Sequence, residues 1–245
     1  MKCELTLALL ILFVLLCLLC LLCYCNTESF KSKSNSNSKI DKIQIFAERN
    51  TGSNYLEKLL KLNFPEIKIV TDDGWKHWQR TPIFSTSSTY KGDSNTLYLI
   101  IERDPYDWVR SMYKKPHHIQ NPSNNFSEFI RQKNITLGND LIPFAEDLNI
   151  IELRNRKNKG YKLLKNKVKH YYDLKYEDLT SNPKKQILRI SEILNNKITF
   201  KPYDKIVGPH QSETKSIYVK PNFDELNKTD KQFINDNLDW GLEKY

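Results

Sequence analysis

Residues 46–56, FAERNTGSNYL, place an arginine, a glycine and several small polar side chains at the end of an apolar run. If a helix follows, its first N–H groups have no intrahelical acceptor and carry partial positive charge. Gly52 would let the backbone approach a ligand, and Arg49 adds a charged, forked donor. The alternative is a simple helix start beside an arginine. We predict an anion site formed by Arg49, Asn50, Thr51, Gly52, Ser53, Asn54 and Tyr55.

A second motif follows another apolar run at residues 96–102 and has the same design. In residues 100–113, IIERDPYDWVRSMY, Arg103 ends the run and Ser111 lies eight residues further on. The carboxyl ends of parallel strands meet at one edge of a sheet, which is where such folds bind ligands. Arg103 and Ser111 are therefore expected to join Arg49 in one crevice. Alone, either arginine is equally consistent with a salt-bridge partner.

A candidate general base lies between these motifs, in residues 72–80, DDGWKHWQR. His77 follows a predicted second strand, and histidine is the residue type whose ordinary pKa, near neutrality, suits a general base. The alternative is a histidine that only packs between Trp75 and Trp78. Lys76 is a candidate for stabilising negative charge that develops on a reacting group.

Other titratable side chains are weaker candidates. His117 and His118 follow a Lys-Pro break and are expected in a loop, and His170 is expected in the core of a strand. His210 belongs to a C-terminal loop that could approach a substrate. Asp72 and Asp73 are alternative bases. No metal site is predicted, because no ligand spacing recurs among the histidines.

The elements that would position these residues alternate between strand and helix. Apolar runs predict strands at 42–48, 67–71, 96–102 and 168–176, and helical periodicity or capping residues predict helices at 54–64, 104–114, 181–195 and 223–245. This order predicts an α/β fold with three α/β/α layers around a central parallel sheet of about four to five strands.

The composition is basic, with a net charge of +9 and a pI near 9.1. This favours anionic partners, although surface lysines alone would also produce it. All five cysteines lie within the first 25 residues. Residues 41–245 therefore contain no disulfide and no cysteine-ligated metal.

The N-terminal segment predicts a membrane anchor. Residues 5–25 are apolar and uncharged, and as a helix they would span roughly 30 Å. We assign 1–25 to a transmembrane signal anchor, with a cleaved signal as the alternative, 26–40 to a flexible Ser/Asn-rich stem, and 41–245 to the catalytic domain. Charges flanking the anchor are nearly balanced and lean weakly against a lumenal C-terminus.

Three motifs in order resemble the sulfotransferases that use 3′-phosphoadenosine 5′-phosphosulfate (PAPS). RNTGSNYL resembles the family's 5′-phosphosulfate loop, and Arg103 with Ser111 reproduces its 3′-phosphate pair. Residues 176–194, YEDLTSNPKKQILRISEIL, resemble a segment whose Tyr176 would lie near the adenine. The resemblance covers residues 43–245, including the tail INDNLDWGLEKY, but Asn50 stands where many relatives carry Lys or Arg.

The resemblance implies a P-loop-like sulfotransferase fold and sulfuryl transfer from PAPS to a hydroxyl or amine, with glycans among the acceptors and without a metal. His77, Lys76 and Arg49 would be the catalytic groups, and membrane-bound relatives place such domains in the Golgi lumen. The basic stretch 153–169 has the charge to contact an acidic glycan or nucleic acid, but its helical spacing favours a solvated helix face, and no nucleic acid partner is expected. Candidates for acceptor binding are Arg154, Lys157 and His210.

Two other functions remain compatible with these residues. A membrane-tethered nucleotide or nucleoside kinase would also bind phosphates, but the loop lacks the Lys-Ser/Thr pair that follows the last glycine of nucleoside-triphosphatase loops. An inactive anion-binding module would keep Arg103 and Ser111 without a working base, and Asn50 leaves that alternative open. Comparing the binding of 3′-phosphoadenosine 5′-phosphate (PAP) with that of ATP would separate the kinase alternative from the others.

Overall fold

A computed structural model describes residues 39–79, 81–117, 119, 121–133, 148–207, 213–214 and 225–243. The predicted anchor at 5–25 and nearly all of the predicted stem lie outside these ranges. Among the described residues, no helix has both the length and the apolar character needed to cross a bilayer. Ile40, which the sequence assigned to the stem, is 6% exposed and packs into the core.

The described elements confirm an α/β fold. The strands are β1 (Lys42–Ala47), β2 (Lys68–Val70), β3 (Thr96–Glu102), β4 (His170–Lys175), β5 (Ile206–Val207) and β6 (Glu213–Thr214). The helices are α1 (Ser53–Asn63), α2 (Pro105–Lys114), α3 (Phe126–Arg131), α4 (Ile150–Lys165), α5 (Tyr176–Ser181), α6 (Pro183–Ile193) and α7 (Lys228–Asn237), with a 3₁₀ turn at Pro82–Phe84.

The main sheet has four parallel strands in the order β2-β1-β3-β4. The chain leaves β1 toward β2 on one side and returns to place β3 on the other side. The carboxyl ends of β1 and β3 therefore flank the point where the strand order reverses, which is where open α/β sheets bind ligands. Strands β5 and β6 form a separate antiparallel pair.

Helices cover both faces of this sheet, consistent with three layers. Odd-numbered residues of β1 and β3, such as Ile45 and Leu99, belong to a cluster with α1 and α6. Even-numbered residues, such as Phe46 and Ile100, pack against α4 and the 3₁₀ turn. The alternation follows from the two-residue period of a strand, and it explains why these strands are apolar throughout.

Local capping explains several helix starts. Asp104 accepts a hydrogen bond from the Asp107 amide at 2.9 Å and Pro105 begins α2, as the sequence predicted. Helix α7 is shorter than the predicted 223–245, because Asn227 caps it and the chain is extended at Leu238. Helices α3 and α5 and the β5–β6 pair were not predicted.

Candidate active site at the carboxyl edge of the sheet

The loop between β1 and α1 is held by its carbonyl groups. The carbonyl of Arg49 accepts a hydrogen bond from Trp108 Nε1 at 2.9 Å, and that of Asn50 accepts one from Arg103 Nη1 at 3.0 Å. The described peptide bonds are all trans. In a trans peptide the next N–H points opposite to the carbonyl, so the amides of Asn50 and Thr51 are directed away from Trp108 and Arg103. These two successive amides are therefore turned away from the donors that hold their carbonyls, which is a requirement for an anion-binding nest.

Two residues of this loop have left-handed backbone conformations. Asn50 has φ 59° and Gly52 has φ 82°. A Cβ on Gly52 would lie 2.7 Å from Cδ2 of Tyr176, which is closer than real Cβ contacts. Gly52 is also the N-cap of α1, where no side chain caps the helix. The position therefore requires glycine for its backbone angle and for its space.

Tyr176 brings the predicted segments together. Its ring occupies the position that a side chain on residue 52 would need. The guanidinium carbon of Arg103 lies 4.4 Å from the centroid of the same ring. Arg103 is 3% exposed and Tyr176 is 8% exposed. Residues that follow β1, β3 and β4 therefore meet in one place at the carboxyl edge of the sheet.

The two strand-end arginines follow the adjacent strands β1 and β3 and contact different aromatic side chains. Arg103 faces Tyr176, which follows β4. The guanidinium carbon of Arg49 lies 4.8 Å from the ring centroid of Trp75, which follows β2. The two guanidinium groups thus contact residues that follow the two outer strands of the sheet, β2 and β4.

Asn50 has a different contact from the one that the sequence suggested. Its Nδ2 donates to the carbonyl oxygens of Ser111 at 3.2 Å and Lys115 at 2.9 Å, at the C-terminal end of α2. Its side chain therefore joins the loop to the helix that carries Ser111. Any contribution of Asn50 to ligand binding would come through its backbone amide.

Thr51 also supports the loop from within. It is fully buried, and its Oγ1 donates to the carbonyl of Glu48 at 2.8 Å. The hydroxyl thus closes the turn between strand and helix. The first-turn amides of α1, which begins at Ser53 and continues through Asn54 and Tyr55, remain the donors that a helix start offers to an anion.

His77 is buried in the segment after β2, with 6% of its surface exposed. Its Nδ1 lies 2.8 Å from the carbonyl oxygen of Ala47, and a carbonyl can only accept. Nδ1 therefore carries the proton, and in the neutral ring Nε2 bears the lone pair. The ring makes an edge contact with Trp75, centroid to centroid 4.7 Å, so His77 lies close to the aromatic side chain that contacts Arg49.

Lys76 connects the same segment to the start of α1. Its Nζ donates to Asn54 Oδ1 at 2.5 Å and lies 3.4 Å from Glu57 Oε2. Burial lowers the pKa of Lys76 below 10.5, and the positive charge of Arg49 acts in the same direction, while Glu57 opposes both. Lys76 thus brings a second cation, beside Arg49, to the segment that contacts the start of α1.

Further contacts fix the segment after β2, and the sequence did not reveal them. Gln79 donates to the carbonyl of Lys157 at 2.8 Å, and a Cβ on Gly160 would lie 2.3 Å from Gln79 Oε1. The amide of Ala47 donates to the carbonyl of Lys76 at 2.8 Å. A glycine inside a helix pattern was the available signal, since it often marks close approach of another group.

The alternative bases lie elsewhere. Asp73 accepts hydrogen bonds from Tyr98 at 2.5 Å and Tyr90 at 2.8 Å. The hydrogen bond to Asp73 is the main reason that the pKa of Tyr90 rises to about 12. His170 is half-buried at the amino end of β4, opposite the edge that carries the arginines. Asp73 and His170 therefore serve other parts of the fold.

The remaining candidates divide into two groups. Asp72 is exposed and lies 3.5 Å from Lys42 Nζ, and His117 lies in the turn after α2. His118 and His210 lie outside the described residues.

The solvated helix face expected at 153–169 is present, but Arg154 and Lys157 do not belong to it; the exposed basic residues of this stretch are Arg156, Lys159, Lys162, Lys165 and Lys169. Helix α4 packs against the sheet, and Arg154 and Lys157 are each 1% exposed. Arg154 forms an ion pair with Glu243 at 2.7 Å, and Lys157 lies 4.0 Å from Glu48. Because both cations are buried against carboxylates, neither is available to contact an acceptor as proposed. A sequence pattern predicts that long basic side chains lie on the surface. The carboxylates that bury Arg154 and Lys157 are distant in the chain and become visible only in the fold.

The chain matches no protein-family model, and no curated protein matches it at a significant level.

Proposed function

We propose that this chain is a PAPS-dependent sulfotransferase that transfers a sulfuryl group to a hydroxyl or amine of an acceptor, with glycans among the candidates. The observation that carries the proposal is the convergence at Tyr176, whose ring contacts both Gly52 and the guanidinium of Arg103. It supports a single pocket shared by the phosphosulfate loop and the 3′-phosphate pair. The parallel sheet and its helical layers agree with a P-loop-like sulfotransferase fold.

Each part of PAPS has a proposed partner. The loop amides and the first turn of α1 would bind the 5′-phosphosulfate, because they are donors with partial positive charge. Arg103 and Ser111 would bind the 3′-phosphate, and Tyr176 would contact the adenine. Arg103 donates a hydrogen bond to the loop carbonyl of Asn50. Binding of the 3′-phosphate by Arg103 would therefore affect the loop that binds the 5′-phosphosulfate.

The transfer step would use the side chains near Trp75. The acceptor O–H or N–H loses its proton to Nε2 of His77 while the acceptor atom forms a bond to sulfur. The bond between sulfur and the phosphate oxygen breaks, and 3′-phosphoadenosine 5′-phosphate (PAP) leaves. Lys76 and Arg49 would stabilise negative charge on the transferring group and the leaving phosphate, as preorganised cations do in phosphoryl transfer. The products are the sulfated acceptor, PAP and one proton.

The apolar segment 5–25 supports a single-pass membrane protein with residues 26–40 as its stem, and we propose that the catalytic domain lies in the Golgi lumen. The length of the apolar segment supports the anchor. Lumenal placement rests on the sulfotransferase proposal, since the flanking charges do not favour it. Protease protection of the domain in sealed Golgi vesicles would test it, and digestion without detergent would contradict it.

Isothermal titration of the purified full chain with PAP and with ATP tests the function. We expect PAP to bind more tightly than ATP, and Arg103→Ala to weaken PAP binding by at least about ten-fold, because a charge-assisted contact is lost. Arg189→Ala is the matched control, since Arg189 is an exposed arginine that forms an ion pair with Glu192 on α6. Tighter binding of ATP, or binding of neither nucleotide, would contradict the proposal.

A further inference from the structure

Each strand-end arginine is preceded by a buried glutamate. Glu48 and Glu102 are 2% and 4% exposed. They continue the even-numbered face of β1 and β3, which packs against α4. The two arginines thus stand directly after two carboxylates that lie under the candidate site.

Helix α4 supplies cations to this buried layer. Lys157 Nζ lies 4.0 Å from Glu48 Oε2. The negative charges of Glu48 and Glu102 both act on Arg154 and raise its pKa. Arg154 also donates from Nη2 to the carbonyl oxygen of Arg103 at 2.8 Å. This bond fixes the peptide group that joins Arg103 to the cap of α2.

Glu243, near the C-terminal end of the described chain, completes the arrangement. Its carboxylate accepts from Arg154 Nε and Nη2, both at 2.7 Å, and from Asn158 Nδ2 at 2.8 Å. Its side chain is 1% exposed. Although burial alone would lower the pKa of Arg154, the hydrogen bond and charge of Glu243 raise it, so the guanidinium remains charged. A bidentate arginine–carboxylate pair of this kind fixes the orientation of the guanidinium as well as neutralising its charge.

We propose that Glu243 is a positioning residue for the strand-end arginine Arg103, acting through the guanidinium of Arg154. Glu243 holds the guanidinium in the plane from which Nη2 reaches the Arg103 carbonyl. Glu243 thereby influences the geometry of the site through Arg154. The effect on nucleotide affinity rests on the proposed function, whereas the coupling between Glu243 and the β3–α2 junction does not.

The test uses Glu243→Gln in the full chain. Glutamine keeps the size and one acceptor oxygen but removes the charge that fixes Arg154. We expect amide hydrogen exchange in peptides covering residues 102–108 to accelerate, and the Kd for PAP to rise by about ten-fold. Arg154→Lys should have the same two effects, because lysine keeps the charge but lacks the forked geometry.

Two controls separate positioning from general loosening of the C-terminal segment. Asn155→Ala removes the hydrogen bonds that Asn155 makes to the carbonyl of Asn237 and the amide of Asp239, without touching Arg154. It should accelerate exchange only in peptides covering 237–243 and leave the Kd for PAP within about two-fold. Asp236→Asn, which removes an exposed carboxylate of α7, should change neither quantity.

The outcomes are distinct. Unchanged exchange at 102–108 in Glu243→Gln, or equal effects of Asn155→Ala and Glu243→Gln, would overturn the positioning role. Failure of the wild-type chain to bind PAP would instead contradict the proposed function. In that case the exchange data alone still decide whether Glu243 controls the β3–α2 junction.

Discussion

The guanidinium of Arg103 lies over the ring of Tyr176, with its carbon 4.4 Å from the ring centroid. The same ring fills the space in which a side chain at position 52 would lie. A cation–π contact of this kind stabilises the arginine in a fixed plane. Substitutions at any of these three positions should therefore disturb the other two.

Gly52→Ala should damage both stability and nucleotide binding. The left-handed backbone and the 2.7 Å approach to Tyr176 both oppose a Cβ, and the strain should cost about 1–3 kcal/mol. Urea unfolding measures the stability, and titration with PAP measures the affinity. Gly241→Ala is the control, because its Cβ would meet only Asp239 Oδ1, at 3.2 Å. A Gly52→Ala protein as stable as the wild type would refute the requirement for glycine.

His77→Asn should abolish turnover while keeping the fold. The asparagine amide can still donate to the carbonyl of Ala47, but it cannot accept a proton as Nε2 does. We expect kcat to fall by about 10²–10⁴-fold, with the Kd for PAP nearly unchanged.

The assay for His77→Asn is PAP release from PAPS with whichever of desulfated heparin, N-acetyllactosamine or a tyrosine peptide supports wild-type turnover. His170→Asn is the control, since His170 lies at the other end of the sheet. Wild-type kcat in His77→Asn would remove His77 from the mechanism.

Lys76 should give the reaction an alkaline limit. Because burial lowers its pKa below 10.5, Lys76 loses its charge as pH rises through that lowered value, and kcat should fall there. Lys76→Met should reduce kcat by about 10²–10³-fold at pH 7, since one charged donor is lost. Lys76→Arg keeps its charge and should extend activity to higher pH. The measurement is kcat against pH at saturating PAPS, and identical profiles for Lys76→Arg and wild type would exclude this role.

Asp230 should make the domain sensitive to acid. Burial alone would raise its pKa, but hydrogen bonds from Ser127, Arg131 and Asn227 outweigh burial, so the pKa of Asp230 lies below 3.8. A lowered folded pKa contributes stability that is present above the unfolded pKa and is lost as pH falls through the folded value.

Asp230→Asn should therefore reduce the free energy of unfolding by about 1–3 kcal/mol at pH 7, and by progressively less toward pH 3. Urea unfolding at pH 7, 5 and 3 measures this. Asp236→Asn, an exposed carboxylate on the same helix, should show no such trend. A loss of stability that is equal at all three pH values would argue against the titration of Asp230.

Local sequence signals were sufficient to predict the bounds of β3 and the start of α2, which carry part of the candidate site. β3 spans Thr96–Glu102 as predicted, because a continuous apolar run has few alternatives to a buried parallel strand. The Asp104-Pro105 pair located the start of α2, because each residue favours one position of a helix start. Strand order could not be predicted in this way, since it depends on contacts between distant segments.

Buried charge was the part that the sequence concealed. Arginine is usually a surface residue. Arg154 is buried because it meets Glu243 and the strand-end glutamates, which lie far away in the chain. The contact of the Asn50 side chain with the carbonyl of Lys115, at the C-terminal end of α2, was concealed for a related reason. Pairing over long sequence distances has no local pattern from which it could be recognised.

The ion pair between Arg154 and Glu243 has a consequence for synthesis of the chain on the ribosome. The β1 loop is translated early, whereas Glu243 emerges only after almost the entire domain. At roughly 5–20 residues per second, the interval is on the order of 10–40 s. Arg154 is translated within that interval, so for roughly the last 4–18 s the nascent domain has a guanidinium without its carboxylate partner. The edge built on the first strand to be translated is thus among the last parts of the fold to mature.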